Sequence, residues 1–431
     1  MQCILQENTC FTVYFGRTNI DKKLVISDKA VVLFLLVILI CPLKAWSQSG
    51  DIAVEELIKM GFENVSCTDT DDERVYVMQN TAYRLHGVGM AKAVDVIQAV
   101  GMPDNRNCRI VVLDNNVPQY SLFYEWQDND KDGKADVSRA DWEASYELGD
   151  SWKIASKTKK KNRSLYKTDI VVYPKVNFRN YVISKIYTFQ ININPTLEVS
   201  LWPGNKLIGQ VIFPVLNEYG KMYGQSQIRQ GYITISQDYR WKNLFLTGTF
   251  GTFNNMRWGG DLQARYVFKD PRFALDGEFA LTGTSWFNNW RWKVGKMNTI
   301  TWSVGGSFYW PKYNVQFDLH LQQYLLSERG VHFQFVRHFR YTSIGFYAMK
   351  VQHAGNHGFN GGFRFVVSLP PYKYKRKGYI PRVLPSTNMG IIYNAGNERT
   401  YGKSFAPRAD RNYGTANSFN PIFIKSELLN Y

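Results

Sequence analysis

The sequence is short of several things at once. Among 431 residues there are only five cysteines and six histidines. Beyond residue 47 the only cysteines are Cys67 and Cys108, and neither has a histidine or second cysteine at metal-ligand spacing, which excludes a zinc site built on them. Long apolar runs are missing too: the longest, Ala30 to Cys41, is twelve residues, and mean hydropathy is −0.32, which excludes a bundle of membrane helices. Acidic charge is scarce, 36 Asp and Glu against 52 Lys and Arg, for a net +16. A basic balance favours anionic partners. The positive residues are dispersed, however, with Lys157 to Lys161 the one dense run. That pattern argues against nucleic acid and toward anionic lipid headgroups or an acidic polysaccharide.

What is present begins with an export signal. Lys22, Lys23 and Lys29 precede the apolar run of Ala30 to Cys41, and Ala45-Trp46-Ser47 follows it. A basic flank, a short apolar core and small residues before a cut site describe a secretory signal peptide over residues 1–47, including an N-terminal extension without an evident role, with an uncleaved membrane anchor as the alternative.

Residues 51–125 read as a small α/β domain. Ile52 to Met60 is amphipathic and stops at Gly61; Val75 to Met78 forms a strand, Gly89 to Val100 a second helix, and Arg109 to Leu113 with Gln119 to Tyr124 a hairpin about Asn115-Asn116. No nucleophile paired with a base and no phosphate loop appears in it. Cys67 and Cys108 are either a disulfide, which an exporting compartment permits, or two separate thiols. Residues 126–166 form an acidic and then basic linker. In it Asp128, Asp130, Asp132 and Asp136, with Gly133 at the turn, have the alternate spacing that brings carboxylates onto one hard cation. A structural Ca2+ is one expectation there and a solvated acidic linker the other, since Arg139 stands where a bidentate glutamate would fall.

From residue 167 to 370 apolar and polar side chains alternate. Leu262, Ala264, Tyr266 and Phe268 fall opposite Asp261, Gln263 and Arg265; Phe273, Leu275, Phe279 and Leu281 opposite Asp276, Glu278 and Thr282. Tyr313, Val315, Phe317, Leu319 and Leu321 fall opposite Asn314, Gln316, Asp318, His320 and Gln322. Successive strand residues point to opposite faces, so each strand has an apolar and a polar side. Period alone leaves two folds open, a soluble sandwich with its apolar faces inside and a membrane barrel with them outside. Strands of roughly 9–13 residues suit a tilted crossing of lipid. Eight of the twelve tryptophans lie between Trp202 and Trp310, often near strand ends, as an aromatic girdle requires. Inward positions carry Arg265, Arg291, Lys293, Asp318, His320, His332, His338, Arg340 and Arg364, which a dry core holds only if each is paired. The expected fold is therefore mainly β: a single transmembrane antiparallel barrel of roughly 12–14 strands behind a small α/β periplasmic domain. Pro370-Pro371 ends the last clear strand, and residues 371–431, basic and rich in Gly, Pro and Asn, read as an extended periplasmic tail.

Three phrases add a resemblance. Gly61-Phe62-Glu63-Asn64-Val65, Gln79-Asn80-Thr81-Ala82-Tyr83-Arg84, and Asn194-Pro195 leading into Leu201-Trp202-Pro203-Gly204 and Gln210 together resemble YjbH-like outer-membrane proteins of exopolysaccharide and group 4 capsule loci. The resemblance implies a Gram-negative outer-membrane protein that takes part in exporting or assembling an extracellular polysaccharide alongside other secretion-machinery proteins. Long members of that family carry two barrel regions, and this chain has room for one.

The lumen-facing cations Arg265, Arg291, Lys293, Arg340 and Arg364, with Asp318 and His320, would then hold carboxylates of an acidic glycan. The alternative is that they pair with Asp261, Asp276, Glu278 and Asp318 across the lumen. Histidines and acids share that face, but no serine stands out beside them, so the expectation is a protein without catalysis and without a cofactor other than the Ca2+ considered above. A general porin and a lipid-modifying enzyme are the competing readings.

Overall fold

The computed structural model describes residues 49–127, 137–180, 187–219, 226–254, 256–288, 291–353, 356–369, 376–395, 402–409 and 419–430. The acidic loop with Asp128, Asp130, Asp132 and Asp136 and the signal over residues 1–47 lie outside them.

Helix α1 covers residues 49–60 and ends at Gly61, whose φ of 104° is the left-handed conformation that glycine adopts at a helix stop. Strands β1 (Glu63–Asp69), β2 (Glu73–Gln79), β3 (Asn107–Asp114), β4 (Val117–Tyr124) and β5 (Glu143–Ser145) then form one sheet in chain order. Only β2 and β3 run parallel, and α2 (His86–Val100) makes the crossover that a parallel pair needs. Asn115 and Asn116 close the β3–β4 hairpin with φ of 49° and 64°, the mirror-type turn that matches strand twist. One face of the sheet packs Tyr76, Ile110 and Tyr120 against Leu57, Met90 and Ile97 of the two helices. The other face buries Val75, Val77 and Val111 with Ala155 of α3 (Trp152–Ala155). Residues 137–166 are thus less a bare linker than part of this module, with Trp142 fully buried in its core. Cys67 and Cys108 are both free thiols, so no disulfide joins them. Burial in the core pushes Cys67 up to about 12 and Cys108 up as well.

The larger sheet begins with β6 (Thr168–Asn180), β7 (Tyr187–Val199), β8 (Asn205–Asn217), β9 (Arg229–Trp241), β10 (Leu244–Phe253), β11 (Arg257–Val267) and β12 (Phe273–Asn288). It continues through β14 (Thr299–Trp310), β15 (Val315–Gln323), β16 (Arg329–His338), β17 (Thr342–His353) and β18 (Asn356–Ser368). Each is hydrogen bonded to the next along this path, while β13 (Arg291–Val294) pairs only with the end of β12. Strand β7 runs unbroken through Asn194-Pro195, which pair with Tyr173 and Val172 of β6 while the ladder to β8 resumes at Thr196.

Burial along these strands is inverted relative to a soluble protein. On β15, Leu319 and Leu321 are 55% and 56% exposed while Gln316 and Asp318 are 4% and 9%. Leu262, Leu275, Phe279, Val304 and Phe346 are likewise exposed, and Asn192, Thr234, Asp261, Thr282 and His338 buried. Two stacked sheets with apolar faces pressed together would show the reverse. Exposed Trp202, Trp241, Trp310 and Tyr313 gather by the turns nearest the N-terminal module, and Trp286 and Trp292 by those at the far end.

The tail differs from an extended arm. Strand β19 (Arg382–Pro385) pairs parallel with β6, and β20 (Asn388–Asn394) antiparallel with β18, so one nearly continuous stretch is bonded to the first and the last long strands. The Ser386 amide donates to Val172 O at 2.9 Å, and the Leu369 amide donates to Thr387 O at 3.1 Å. Residues 402–409 then lie along the polar side of the sheet. Near the far end the Gly402 amide donates to Glu328 at 2.8 Å and Phe405 stacks on Phe253. Toward the module Arg408 pairs with Asp238 at 3.2 Å, and Ala409 is buried under Ile208 and Tyr232. Finally α4 (Pro421–Asn430) sets Ile424 and Leu428 into the core of the N-terminal module.

Candidate functional site: the polar face beneath the N-terminal module

The module is fastened to the near end of the large sheet by charge-assisted hydrogen bonds, which are stronger than neutral ones. Asp169 on β6 accepts from Arg376 and Arg382 at 2.7 Å each, and Arg376 also reaches Glu63 at 2.9 Å. Arg240 donates to Gln119 O at 3.0 Å and to Tyr146 O. Between these clamps two cavities open on the polar face, of about 280 and 520 Å3, and both touch Asp114 and Phe419.

The smaller cavity is cationic on one wall. Tyr341, in the β16–β17 turn, carries the Arg84 guanidinium at 5.3 Å from its ring centre and that of Arg340 at 5.4 Å. Lys206 lines the same space and pairs with Glu198 at 3.5 Å. Glu427 of α4 closes one side and accepts the Gly87 amide at 3.0 Å. Burial lifts its carboxyl to about 7, while that amide and the Arg340 charge pull it down. Burial lowers His86, opposed by Asp114.

A hydrogen-bonded chain runs from β15 to His338 and Ser343, which line this cavity. Gln316 Nε2 donates to Asp318 Oδ1 at 2.7 Å, Gln316 Oε1 meets His338 Nε2 at 3.3 Å, and His338 Nδ1 meets Ser343 Oγ at 3.0 Å. His338 and Ser343 face each other across the β16–β17 hairpin, and Phe423 of α4 sits edge-on to the imidazole at 6.0 Å.

The residues expected to line the lumen divide. Arg265 pairs with Asp276 at 3.1 Å beside the larger cavity, but as directly opposite residues on the neighbouring strands β11 and β12 and not across a lumen. His320 lines that cavity opposite His332, whose ring stacks on Tyr347. Gly305 makes the room: a Cβ there would fall 2.4 Å from the His320 ring. Arg364 is half-buried on β18 opposite Gly345. Two expectations are corrected. Arg291 and Lys293 do not face the interior, because β13 leaves the sheet as a ribbon on the end of β12 and all four of its residues are exposed. Arg340 lies in the turn between β16 and β17 and not within a strand. Among the described residues no group of three or more His, Cys, Asp or Glu is placed to hold a metal.

Sequence reasoning missed Ser343 and Gln316. The signal was there in part: once Phe339 to Tyr341 is taken as a hairpin turn, His338 falls directly opposite Ser343.

No protein-family model matches the chain, and no curated protein does. Among solved structures it is similar to OmpT, an outer membrane protein of Vibrio cholerae. The loop L8 deletion mutant of OmpT aligns with 8% identity and a TM-score of 0.28, over 46% of this chain and 86% of that one. The in-vitro folded OmpT aligns with 8% identity and a TM-score of 0.26, over 48% and 81%. The expectation of a protein without catalysis is not carried forward, because His338 and Ser343, which the sequence reading did not pair, stand 3.0 Å apart.

Proposed function

We propose that this chain is an outer-membrane β-barrel protein that takes part in the export or assembly of an extracellular polysaccharide. The observation that carries the barrel is the inverted burial, Leu319 and Leu321 outward and Gln316 and Asp318 inward, which suits acyl chains outside and water within. The stretch from β19 to β20, bonded to Asp169–Val172 of β6 and to β18, would join the two ends of the sheet in this reading. The N-terminal module then hangs in the periplasm.

The polysaccharide rests on the resemblance to YjbH-like proteins and on the cationic mouth formed by Arg84, Arg340 and Lys206, which suits acidic sugars and partners of a secretion machine. Residues 402–409 occupy the polar side, so the passage is gated by the chain's own tail, which favours this reading over a general porin. Deletion of the gene in its host tests the proposal. Loss of surface polysaccharide with unchanged lipid A acylation is expected; normal polysaccharide with altered acylation would overturn it.

A further inference from the structure

We propose that Ser343 is an acyl-transfer nucleophile, with His338 as its base and Gln316 as the positioning residue, acting on O-acyl esters of an acidic saccharide. Gln316 Nε2 donates to Asp318 Oδ1 at 2.7 Å. The Gln316 carbonyl oxygen therefore faces His338, and because it only accepts, His338 Nε2 carries the ring proton. That leaves the Nδ1 lone pair 3.0 Å from Ser343 Oγ, and the serine hydroxyl donates to it. A nucleophile on one ring nitrogen, with an amide carbonyl fixing the tautomer through the other, is the arrangement of Cys-His-Asn acyl-transfer centres.

The site also has a place for a substrate. His338 and Ser343 line the cavity of about 280 Å3 together with Arg84, Arg340 and Lys206. Those cations would bind a sugar carboxylate. The volume suits one sugar ring with a short acyl group and is small for paired lipid chains. The polar face on which it opens also favours a saccharide over a lipid tail.

The chemistry balances with water as co-reactant. Ser343 Oγ bonds to the acyl carbon as its proton passes to His338 Nδ1. The ester C–O bond then breaks, and His338 returns the proton to the departing sugar oxygen. Water attacks the acyl-serine by the same route, releasing a carboxylic acid and restoring the hydroxyl.

The choice of an acidic saccharide rests on the export reading, whereas acylation of Ser343 does not. The test uses the full chain folded in detergent micelles, with p-nitrophenyl acetate and O-acetylated polygalacturonate as probes and heat-modifiable gel migration as the check on folding. The expected result is acetyl transfer to Ser343, seen by peptide mass, and acetate release from the polymer. Ser343→Ala abolishes both, and His338→Ala lowers them about 100-fold or more. Ser343→Cys, which keeps a nucleophile, still takes the acetyl group. Gln316→Glu moves the acid limb of the pH profile upward, because a carboxylate favours the protonated imidazole. An unacetylated Ser343 in the folded wild type, or equal rates for Ser343→Ala, overturns the nucleophile. Cleavage of phospholipid esters in place of the polymer overturns the substrate.

Discussion

Glu427 Oε2 accepts the Gly87 amide at 3.0 Å, although the two residues stand 340 positions apart. Gly87 lies in the first turn of α2, so the carboxyl of the C-terminal helix sits at the positive end of an N-terminal one. The tail that runs along the polar face of the large sheet thus ends in the core of the module at its mouth, and the latch tells how firmly.

The fit is close enough to test by one methyl. A Cβ at Gly87 would lie 2.2 Å from Glu427 Cβ, so Gly87→Ala must push α4 away. Overpacking of this kind costs roughly 1–3 kcal/mol. Limited proteolysis near residues 419–430 is expected to become faster in the variant, with the sheet undisturbed; equal rates would count against the docked helix.

Acidity should strengthen the same latch. The ordinary value for Glu427 is 4.5 and burial holds it at about 7, so the docked state keeps its proton while the undocked one loses it. Docking is therefore at full strength below pH 4.5 and weakens as pH rises through 7, by at most roughly 3 kcal/mol. Glu427→Gln should flatten this dependence and protect α4 amides at pH 7.5, measured by hydrogen exchange corrected for intrinsic rates. An unchanged pH dependence in the variant would refute the assignment to this carboxyl.

A charge on the outer face should damage assembly where the same charge inside does not. Leu319 is at the middle of β15 and exposed. Leu319→Arg is expected to cost roughly 2–4 kcal/mol in lipid and to reduce the heat-modifiable folded band. Gln322→Arg, on the polar side of the same strand, should leave that band close to wild type.

The segment 402–409 is held by an ion pair, Arg408 with Asp238, largely out of water. Removing Arg408 leaves Asp238 with the neutral donors Thr247 and Asn115, at a cost below the roughly 3–5 kcal/mol of a fully unpaired buried charge. Arg408→Ala should loosen the segment and raise single-channel conductance in planar bilayers. Conductance equal to wild type would mean that this stretch does not control the passage.

Much of the larger sheet could be read from side-chain alternation, since Asp261, Leu262, Gln263 and their successors repeat with period two and strand pairing keeps that register. The early strands were harder because β8 pairs with register shifts against both neighbours, at Ile191/Asn192 with β7 and at Gly209/Val211 with β9, although β7 itself alternates without a break. Arg291 and Lys293 have the alternation of an inward strand, yet β13 pairs with the protruding end of β12, and nothing local signals that departure. The tail was opaque for a different reason. Ile424 and Leu428 are buried by a module some 300 residues earlier in the chain, and Ser343 meets His338 and Gln316 through pairings among three strands. Such long-range neighbours leave no period behind.

The direction of side chains across β15 is the most direct test of the whole account. Spin labels placed singly at 318, 319, 320 and 321, in a background with Cys67→Ser and Cys108→Ala, can be read for collisions with oxygen dissolved in lipid. The account predicts high lipid exposure at 319 and 321 and low exposure at 318 and 320. Uniform values, or exposure at 318 and 320 in place of 319 and 321, would contradict it.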